Sequence, residues 1–275
     1  MDYQKLIRES SIDIVIAATP HYLYGDIVER AAVNEVHILK EKPFAVNEAE
    51  AEEMVNICNA HGIHLMNALQ RRLDPLYVHF RKILKKIGNP FHVEGKYSLF
   101  IKDLGGGWRS KRKTSGGGAL MDMGYHLIDL IIWYFGLPDR VHAENSSSAT
   151  ENGEYDVEDT STVMIKYDMG LHGFLTISRR RAPKTEYLEV LGSDGIARLE
   201  RKCISLFDSN GNLSERIKPK HIGTDGLPNQ VNYFTKVVRD ELPNYADPAT
   251  HMQHMKFIEA CYRSQRTGSY VETNH

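Results

Sequence analysis

The first 70 residues alternate between apolar, strand-like runs and helical segments, and this alternation constrains the fold more than any other feature. Residues 12–20 form a β-branched run that ends at a proline, which predicts a strand buried on both faces of a parallel sheet. Further strands are expected at 36–39 and 63–68, and helices at about 25–33 and 48–61. The second helix opens with the capping box Asn-Glu-Ala-Glu. This order predicts a parallel α/β sheet, whose ligands bind beyond the carboxyl ends of its strands.

From about residue 71 the pattern changes, which predicts a second domain. Asp74 and Pro75 place a cap and a first-turn proline on a helix, after which apolar and polar residues alternate with a period of two. Strands are expected at 91–99, 160–167, 171–178, 187–191 and 204–207, one apolar helix at about 117–135, and two final helices near 230–241 and 249–266. We therefore expect a parallel-sheet domain at residues 1–70 and a mainly antiparallel sheet domain at residues 71–275, with C-terminal helices positioned to pack back on the first domain.

Charge and cysteine content exclude several classes of partner and compartment. Lys and Arg number 34 against 36 Asp and Glu, so no net basic field draws the chain to nucleic acid or to an anionic membrane. The cysteines Cys58, Cys203 and Cys261 form no CxxC pair, and no apolar run reaches the roughly 18 residues that a membrane span requires. The first residues lack the pattern of a signal peptide. These features predict a cytoplasmic protein without nucleic-acid or membrane partners.

Three residues form a candidate proton-transfer group. Asp122 and His126 are four residues apart in the apolar helix, so their side chains are expected on one face, where the carboxylate supports the imidazole. Lys42 follows a strand end, where a low-dielectric cleft would lower the pKa of its amine into a useful range. From spacing alone, a structural hydrogen-bonded pair is the favoured interpretation of Asp122 and His126.

Several short motifs, taken together and in order, give the chain a family resemblance from about residue 3 to its C-terminus. They are Ala18-Thr19-Pro20, Glu41-Lys42-Pro43, Gln70-Arg71-Arg72-Leu73-Asp74-Pro75, Gly107-Trp108-Arg109 and the stretch from Gly116-Gly117-Gly118 through Asp122, His126 and Asp129. This combination resembles the Gfo/Idh/MocA family. The resemblance implies a Rossmann domain followed by an open-faced, mainly antiparallel α/β domain, and oxidation or reduction of sugars, polyols and related compounds with NAD or NADP.

The resemblance also implies roles for individual residues. His126 exchanges the proton on the substrate oxygen, and Asp122 holds His126. Lys42 polarises the substrate oxygen or relays the proton. The residues expected to bind the cofactor are Thr19, Pro20, His21, Glu41, Lys42, Gln70, Arg72, Trp108 and Arg109. His21 departs from the family, whose members often carry Asn there. Without the resemblance, Thr19, Pro20 and Glu41 are explained by ordinary strand-end turns, and an arginine pair before a helix cap is more often a solvated or ion-paired edge.

The remaining charged and histidine clusters are expected to be structural or solvated. The runs Lys111-Arg112-Lys113 and Arg179-Arg180-Arg181 are interpreted as a solvated loop and a solvated strand end. If the first run has a role, an anionic substrate group is its natural partner. His251 and His254 lack a third ligand at useful spacing, so we expect a surface helix face and no metal site.

A dinucleotide-binding fold normally opens with a GxGxxG turn, and this chain has no such turn. We therefore expect the chain to resemble a family member that lacks its first βαβ unit and binds NAD or NADP weakly. The leading hypothesis is a sugar or polyol oxidoreductase, and the alternative is a non-catalytic sugar-sensing or protein-binding relative that has lost the nucleotide. Because only one long helix is available to shield the antiparallel sheet, one sheet face is expected to stay open and to drive homo-oligomerisation.

Overall fold

The computed structural model describes residues 2–9, 11–104, 106–147, 155–218 and 226–274. Its helices are α1 (Tyr3–Glu9), α2 (Tyr24–Val33), α3 (Glu48–His61), α4 (Pro75–Ile83), α5 (Arg112–Ser115), α6 (Tyr125–Phe135), α7 (Gly226–Val238) and α8 (Pro248–Thr267). Its strands are β1 (Ile14–Ala17), β2 (His37–Lys40), β3 (Leu65–Asn67), β4 (Pro90–Phe100), β5 (Arg140–Ser146), β6 (Thr160–Lys166), β7 (His172–Ser178), β8 (Arg180–Gly192), β9 (Gly195–Glu200), β10 (Cys203–Phe207), β11 (Leu213–Ile217) and β12 (Val271–Glu272).

The first three strands form a parallel sheet in the order β1-β2-β3, with α2 and α3 as the connections between them. The parallel α/β arrangement predicted for this part of the chain is therefore confirmed. The expectation that the first strand is buried on both faces is wrong, because Ile16 is 54% exposed. In the described part of the chain β1 pairs only with β2, and an edge strand has fewer neighbours to cover its side chains.

The other nine strands form one sheet in the order β11-β10-β9-β8-β4-β7-β6-β5-β12. Most neighbours are antiparallel, as predicted, but β4 and β7 run parallel, so the sheet is mixed. Strand β6 alternates strictly, with Ser161, Val163 and Ile165 buried and Met164 46% exposed. One face of this part of the sheet is therefore covered and the other, which we call the outer face, is open in the single chain.

A π-helical turn at Leu120–Gly124 precedes α6, where the sequence predicted one continuous helix. Wider turns of this kind change the angular spacing of side chains and occur frequently at functional sites. The helix ends at Gly136, whose φ of 84° suits a residue without a side chain. Asp122 lies in the π-helical turn and His126 in the first turn of α6.

Helix α8 packs against both α3 and β5, so it lies between elements of the two sheets. His251 and His254 on this helix are fully buried, and the prediction of a surface helix face is wrong. The cause is that neighbours cover α8 on more than one side, which helical spacing alone does not reveal. Neither histidine belongs to a cluster able to hold a metal ion within the described ranges.

Helix α7 lies against the 3₁₀ turn at Gln70–Leu73, at the start of the second part of the chain. With its amide oriented so that the oxygen faces these donors, the Gln230 side chain on this helix accepts hydrogen bonds from the backbone N–H groups of Leu69 and Gln70 at 2.8 and 2.9 Å. Both C-terminal helices thus contact elements that precede residue 76. None of the described helices is both long and apolar enough to cross a membrane.

Candidate active site

The segment after β2 brings Lys42 to the carboxyl end of the parallel sheet and against the π-helical turn. The Lys42 ammonium donates to Asp122 Oδ1 at 2.6 Å and to the Asp122 carbonyl at 2.9 Å. Both side chains are less than one-fifth exposed. A charge-assisted pair at this depth fixes the lysine, because its alternative partner, bulk water, is largely excluded. The structure therefore brings Lys42 and Asp122 together.

Asp122 is shared between two cations. Its second carboxylate oxygen accepts from Arg179 Nη2 at 2.9 Å, and Arg179 is 3% exposed. Burial raises the pKa of Asp122, but the charges of Lys42 and Arg179 outweigh burial and bring the pKa well below its ordinary value. Asp122 is therefore ionised at neutral pH.

Arg179 corrects the expectation of a solvated strand end at residues 179–181. Its guanidinium also donates to Tyr155 Oη and to the Gly118 carbonyl, both at 3.2 Å. The composition of the basic run wrongly indicated solvent exposure, because one of its three arginines points into the protein and no local pattern indicates which one. The carboxylate that draws Arg179 inward lies 57 positions earlier in the chain.

His126 lies near Asp122 in the chain but is not bonded to it. Among the described residues, the His126 ring forms no hydrogen bond or ion pair with Asp122, whose oxygens are occupied by Lys42 and Arg179. Burial, together with the charges of Arg71 and Lys42, holds the pKa of His126 well below its ordinary value, so the ring is neutral at pH 7. The Tyr97 ring lies 6.4 Å from the His126 ring, measured between centroids.

Glu158 anchors the start of the π-helical turn, a role that the sequence did not reveal. Its Oε1 accepts from the backbone N–H groups of Gly118 and Leu120, both at 2.9 Å, and from Tyr262 Oη at 3.1 Å. A carboxylate at a helix N-terminus satisfies donors that have no intrahelical partner. Glu158 comes from the loop before β6, so no motif near Asp122 predicts its role.

The glycine run before this turn is required by close packing. A Cβ at Gly118 would lie 1.9 Å from the Glu158 carbonyl oxygen, and one at Gly116 would lie 2.4 Å from the Val46 carbonyl oxygen. Gly116 also has a φ of 80°, a conformation that side chains disfavour. The run lets the turn that carries Asp122 approach the segment that carries Lys42.

Part of the predicted cofactor set lies where β1 ends. Thr19 and Pro20 follow β1 after one intervening residue, and Thr19 Oγ1 is buried with no hydrogen-bond partner among the described residues. His21 is 3% exposed; its Nδ1 lies 2.8 Å from the Ser115 carbonyl oxygen, and its ring meets Trp108 edge-on at 4.4 Å. An open cavity of about 490 Å³ borders Trp108 at this edge.

The other predicted cofactor residues differ in how accessible they are. Arg109 and Gln70 are exposed, and the Arg109 guanidinium lies 4.2 Å from the Trp108 ring centroid. Glu41 is partly buried beside Lys42. Arg72 is different, because Nε and Nη2 donate to the buried Asp129 and Nη1 donates to the Tyr245 carbonyl. Its hydrogen-bonding groups are thus engaged inside the protein.

Comparison with family models covers most of the chain. A model described as "Oxidoreductase family, NAD-binding Rossmann fold" matches residues 1–69, and a model of the GFO/IDH/MocA C-terminal domain matches residues 77–198. The chain belongs to the Gfo/Idh/MocA family. It is thereby an NAD(P)-dependent oxidoreductase by descent, as its motifs predicted.

Individual relatives are dehydrogenases of sugars and related diols. The D-xylose 1-dehydrogenase (NADP(+)) 2 of Haloferax volcanii is 27% identical over 98% of this chain and 83% of its own length. The mouse trans-1,2-dihydrobenzene-1,2-diol dehydrogenase is 28% identical over 72% of this chain and 58% of its own length. A levoglucosan dehydrogenase solved with NADH and levoglucosan superimposes with a TM-score of 0.88 at 21% identity, covering 100% of this chain and 83% of that one.

Proposed function

We propose that this member of the family transfers a hydride between NAD or NADP and a carbon of a sugar or polyol that bears a hydroxyl group, with His126 taking the hydroxyl proton. The observation that carries the proposal is the Lys42–Asp122–Arg179 cluster, which lies close to a neutral, unpaired imidazole ring. A neutral imidazole is the form that accepts a proton.

Lys42 would act on the substrate oxygen directly. Its contacts with Asp122 use two of the three donors of the ammonium group, and no described residue takes the third. The free donor can hydrogen-bond the substrate hydroxyl and stabilise negative charge as the proton leaves. Asp122 supports this by orienting Lys42, a different task from the support of His126 that the resemblance implied.

The carboxyl edge of the parallel sheet has features that suit the cofactor. Thr19 Oγ1 is a buried hydroxyl that no described residue satisfies, and a bound ligand could supply its partner. We propose that Thr19, Pro20, Glu41, Trp108 and Arg109 line the cofactor at this edge. When bound, the nicotinamide ring supplies the acceptor for the hydride.

We further propose that the protein forms homo-oligomers in the cytoplasm. The outer face of the large sheet is open in the single chain and carries the exposed Met164, and exposed apolar surface is typical of an interface. Cys58, Cys203 and Cys261 are all free, which supports a reducing compartment.

The test is reduction of NAD⁺ or NADP⁺ with a panel of aldoses, inositols and diols, followed by the absorbance of the reduced nicotinamide. We expect His126→Ala to lower kcat by roughly a hundredfold, the usual loss when a general base is removed. His61→Ala is the matched control, because His61 is exposed at the end of α3 and lies outside the proposed site and interface. Equal kcat in His126→Ala and in the control would remove His126 from the proposed reaction.

A further inference from the structure

Lys40 is a buried lysine that neither the motifs nor the proposed reaction uses. It is the last residue of β2, two positions before Lys42, and it is 1% exposed. Among the described residues, no carboxylate lies within ion-pair distance of its ammonium group. Burying an ammonium group without a counter-ion is costly, so its contacts with neutral groups must supply the compensation.

Those contacts surround the amine completely. Lys40 Nζ donates to the Pro43 carbonyl at 2.6 Å, to the Glu41 carbonyl at 3.0 Å and to Asn67 Oδ1 at 3.0 Å. The Tyr24 ring closes the remaining side, with its centroid 3.9 Å from Nζ. Three acceptors match the three donors of a protonated amine, and an aromatic face is favourable to a cation.

Two of the three acceptors flank Lys42 in the chain. Glu41 and Pro43 are its neighbours, so the Lys40 amine holds the backbone on both sides of Lys42. The third acceptor, Asn67, is the last residue of β3, the adjacent strand, and anchors the amine to the sheet. A methionine at position 40 would fill a similar volume but would leave both carbonyls without this donor.

We propose that Lys40 is a positioning residue that holds the segment 41–43 so that Lys42 meets Asp122. The role in catalysis rests on the proposed function of Lys42, whereas the effect on the geometry of Lys42 does not. If the segment loses its two carbonyl contacts, the Lys42 amine leaves Asp122 for a larger fraction of the time. The reactivity of that amine therefore reports on Lys40 directly.

The experiment compares the acylation rate of Lys42 by a succinimidyl ester, followed by peptide mass spectrometry, in wild type and Lys40→Met. We expect the rate for Lys42 to rise about tenfold, the scale expected for losing one charge-assisted hydrogen bond. The exposed Lys5 in the same molecules should be unchanged. Lys40→Gln retains an amide donor and should give a smaller rise, and it replaces Lys40→Met if that variant does not fold.

Met54→Ala is the control for general loosening of the same domain, because Met54 is 1% exposed in α3. A similar rise at Lys42 in Met54→Ala would show that Lys40 contributes only stability and would overturn the proposal. An unchanged rate in both Lys40 variants would also overturn it. In an active preparation, kcat should fall in Lys40→Met with little change in KM. Absence of any dehydrogenase activity would instead count against the proposed function and leave the acylation result standing.

Discussion

Acid should weaken the protein through His21, and the size of the effect follows from its burial. Burial brings the pKa of His21 from 6.5 down to about 4, while the Ser115 carbonyl and Asp122 oppose the shift. The folded protein thus keeps the ring neutral, and the unfolded chain takes up a proton as the pH falls below about 6.5. Stability is therefore complete above pH 6.5 and is lost as the pH falls towards 4. The difference in pKa, at about 1.4 kcal/mol for each pH unit, corresponds to about 3 kcal/mol.

The assay is urea unfolding of wild type and His21→Asn at several pH values between 7.5 and about 4.5. Asparagine keeps a donor for the Ser115 carbonyl and does not titrate. Other buried histidines also contribute to the pH dependence of each protein, but they cancel in the difference between the two. We expect the stability advantage of wild type over His21→Asn to shrink by about 2 kcal/mol on acidification. A difference that does not change with pH would refute the buried, neutral state of His21.

Three further predictions concern the pair at Asp122, the support of its turn and the outer face. Arg179→Met should raise the pKa of Asp122, as seen by carboxyl carbon NMR, and should cost about 3 kcal/mol in urea unfolding, because it leaves a buried carboxylate with one partner fewer. Glu158→Ala should lower thermal stability by about 2 kcal/mol or more, since two backbone donors lose their acceptor; an unchanged melting temperature would argue against this support. Met164→Lys should shift light scattering towards the monomer, and a wild-type protein that is strictly monomeric at micromolar concentration would contradict the proposed oligomer.

Features that depend on near neighbours in the chain were predictable from the sequence. Asn47 and Asp74 cap α3 and α4 by accepting from the backbone N–H groups of Glu50 and Leu76, because capping is decided within one helical turn. The parallel first sheet and the mainly antiparallel second sheet also follow from local periodicity. Four strands of the second sheet were not predicted, namely β5, β9, β11 and β12, and the last of these has only two residues and carries no periodic signal.

Features that depend on distant partners were not predictable. Arg179 belongs to a basic run whose composition indicates solvent, yet its carboxylate partner comes from another element. His251 was expected on a surface helix face because no third metal ligand accompanies it, whereas packing on two sides buries it. The spacing of Asp122 and His126 predicted a contact, but the wider π-helical turn and the two cations redirect the carboxylate. In each case contacts with residues distant in the chain decided the outcome.

The role of Arg72 can be tested, because substitution of a residue that binds the cofactor and substitution of a residue in the buried core change different measured properties. Asp129 Oδ1, on a residue that is 1% exposed, accepts from Arg72 at 2.7 and 2.9 Å and from His254 Nε2 at 3.0 Å. Burial raises the pKa of Asp129, but Arg72 and His254 bring it below its ordinary value, so the pair is ionic. Removing one partner of a buried ion pair costs about 3–5 kcal/mol, since the other charge stays buried without compensation.

Asp129→Asn and Arg72→Met should each therefore lower the free energy of unfolding by about 3 kcal/mol or more, and the double variant should lose much less than their sum. This double-mutant cycle, measured by urea unfolding, isolates the coupling between the two side chains. Calorimetric titration of the wild-type and Arg72→Met proteins with NADP⁺ measures nucleotide affinity separately from stability. If Arg72 contacts the nucleotide instead, its replacement would weaken nucleotide binding while the cycle shows additive effects. Additive effects together with weakened NADP⁺ binding would assign Arg72 to the cofactor site, whereas strong coupling and unchanged binding would assign it to the core network, where Asp129 and Tyr245 already accept from all three of its nitrogens.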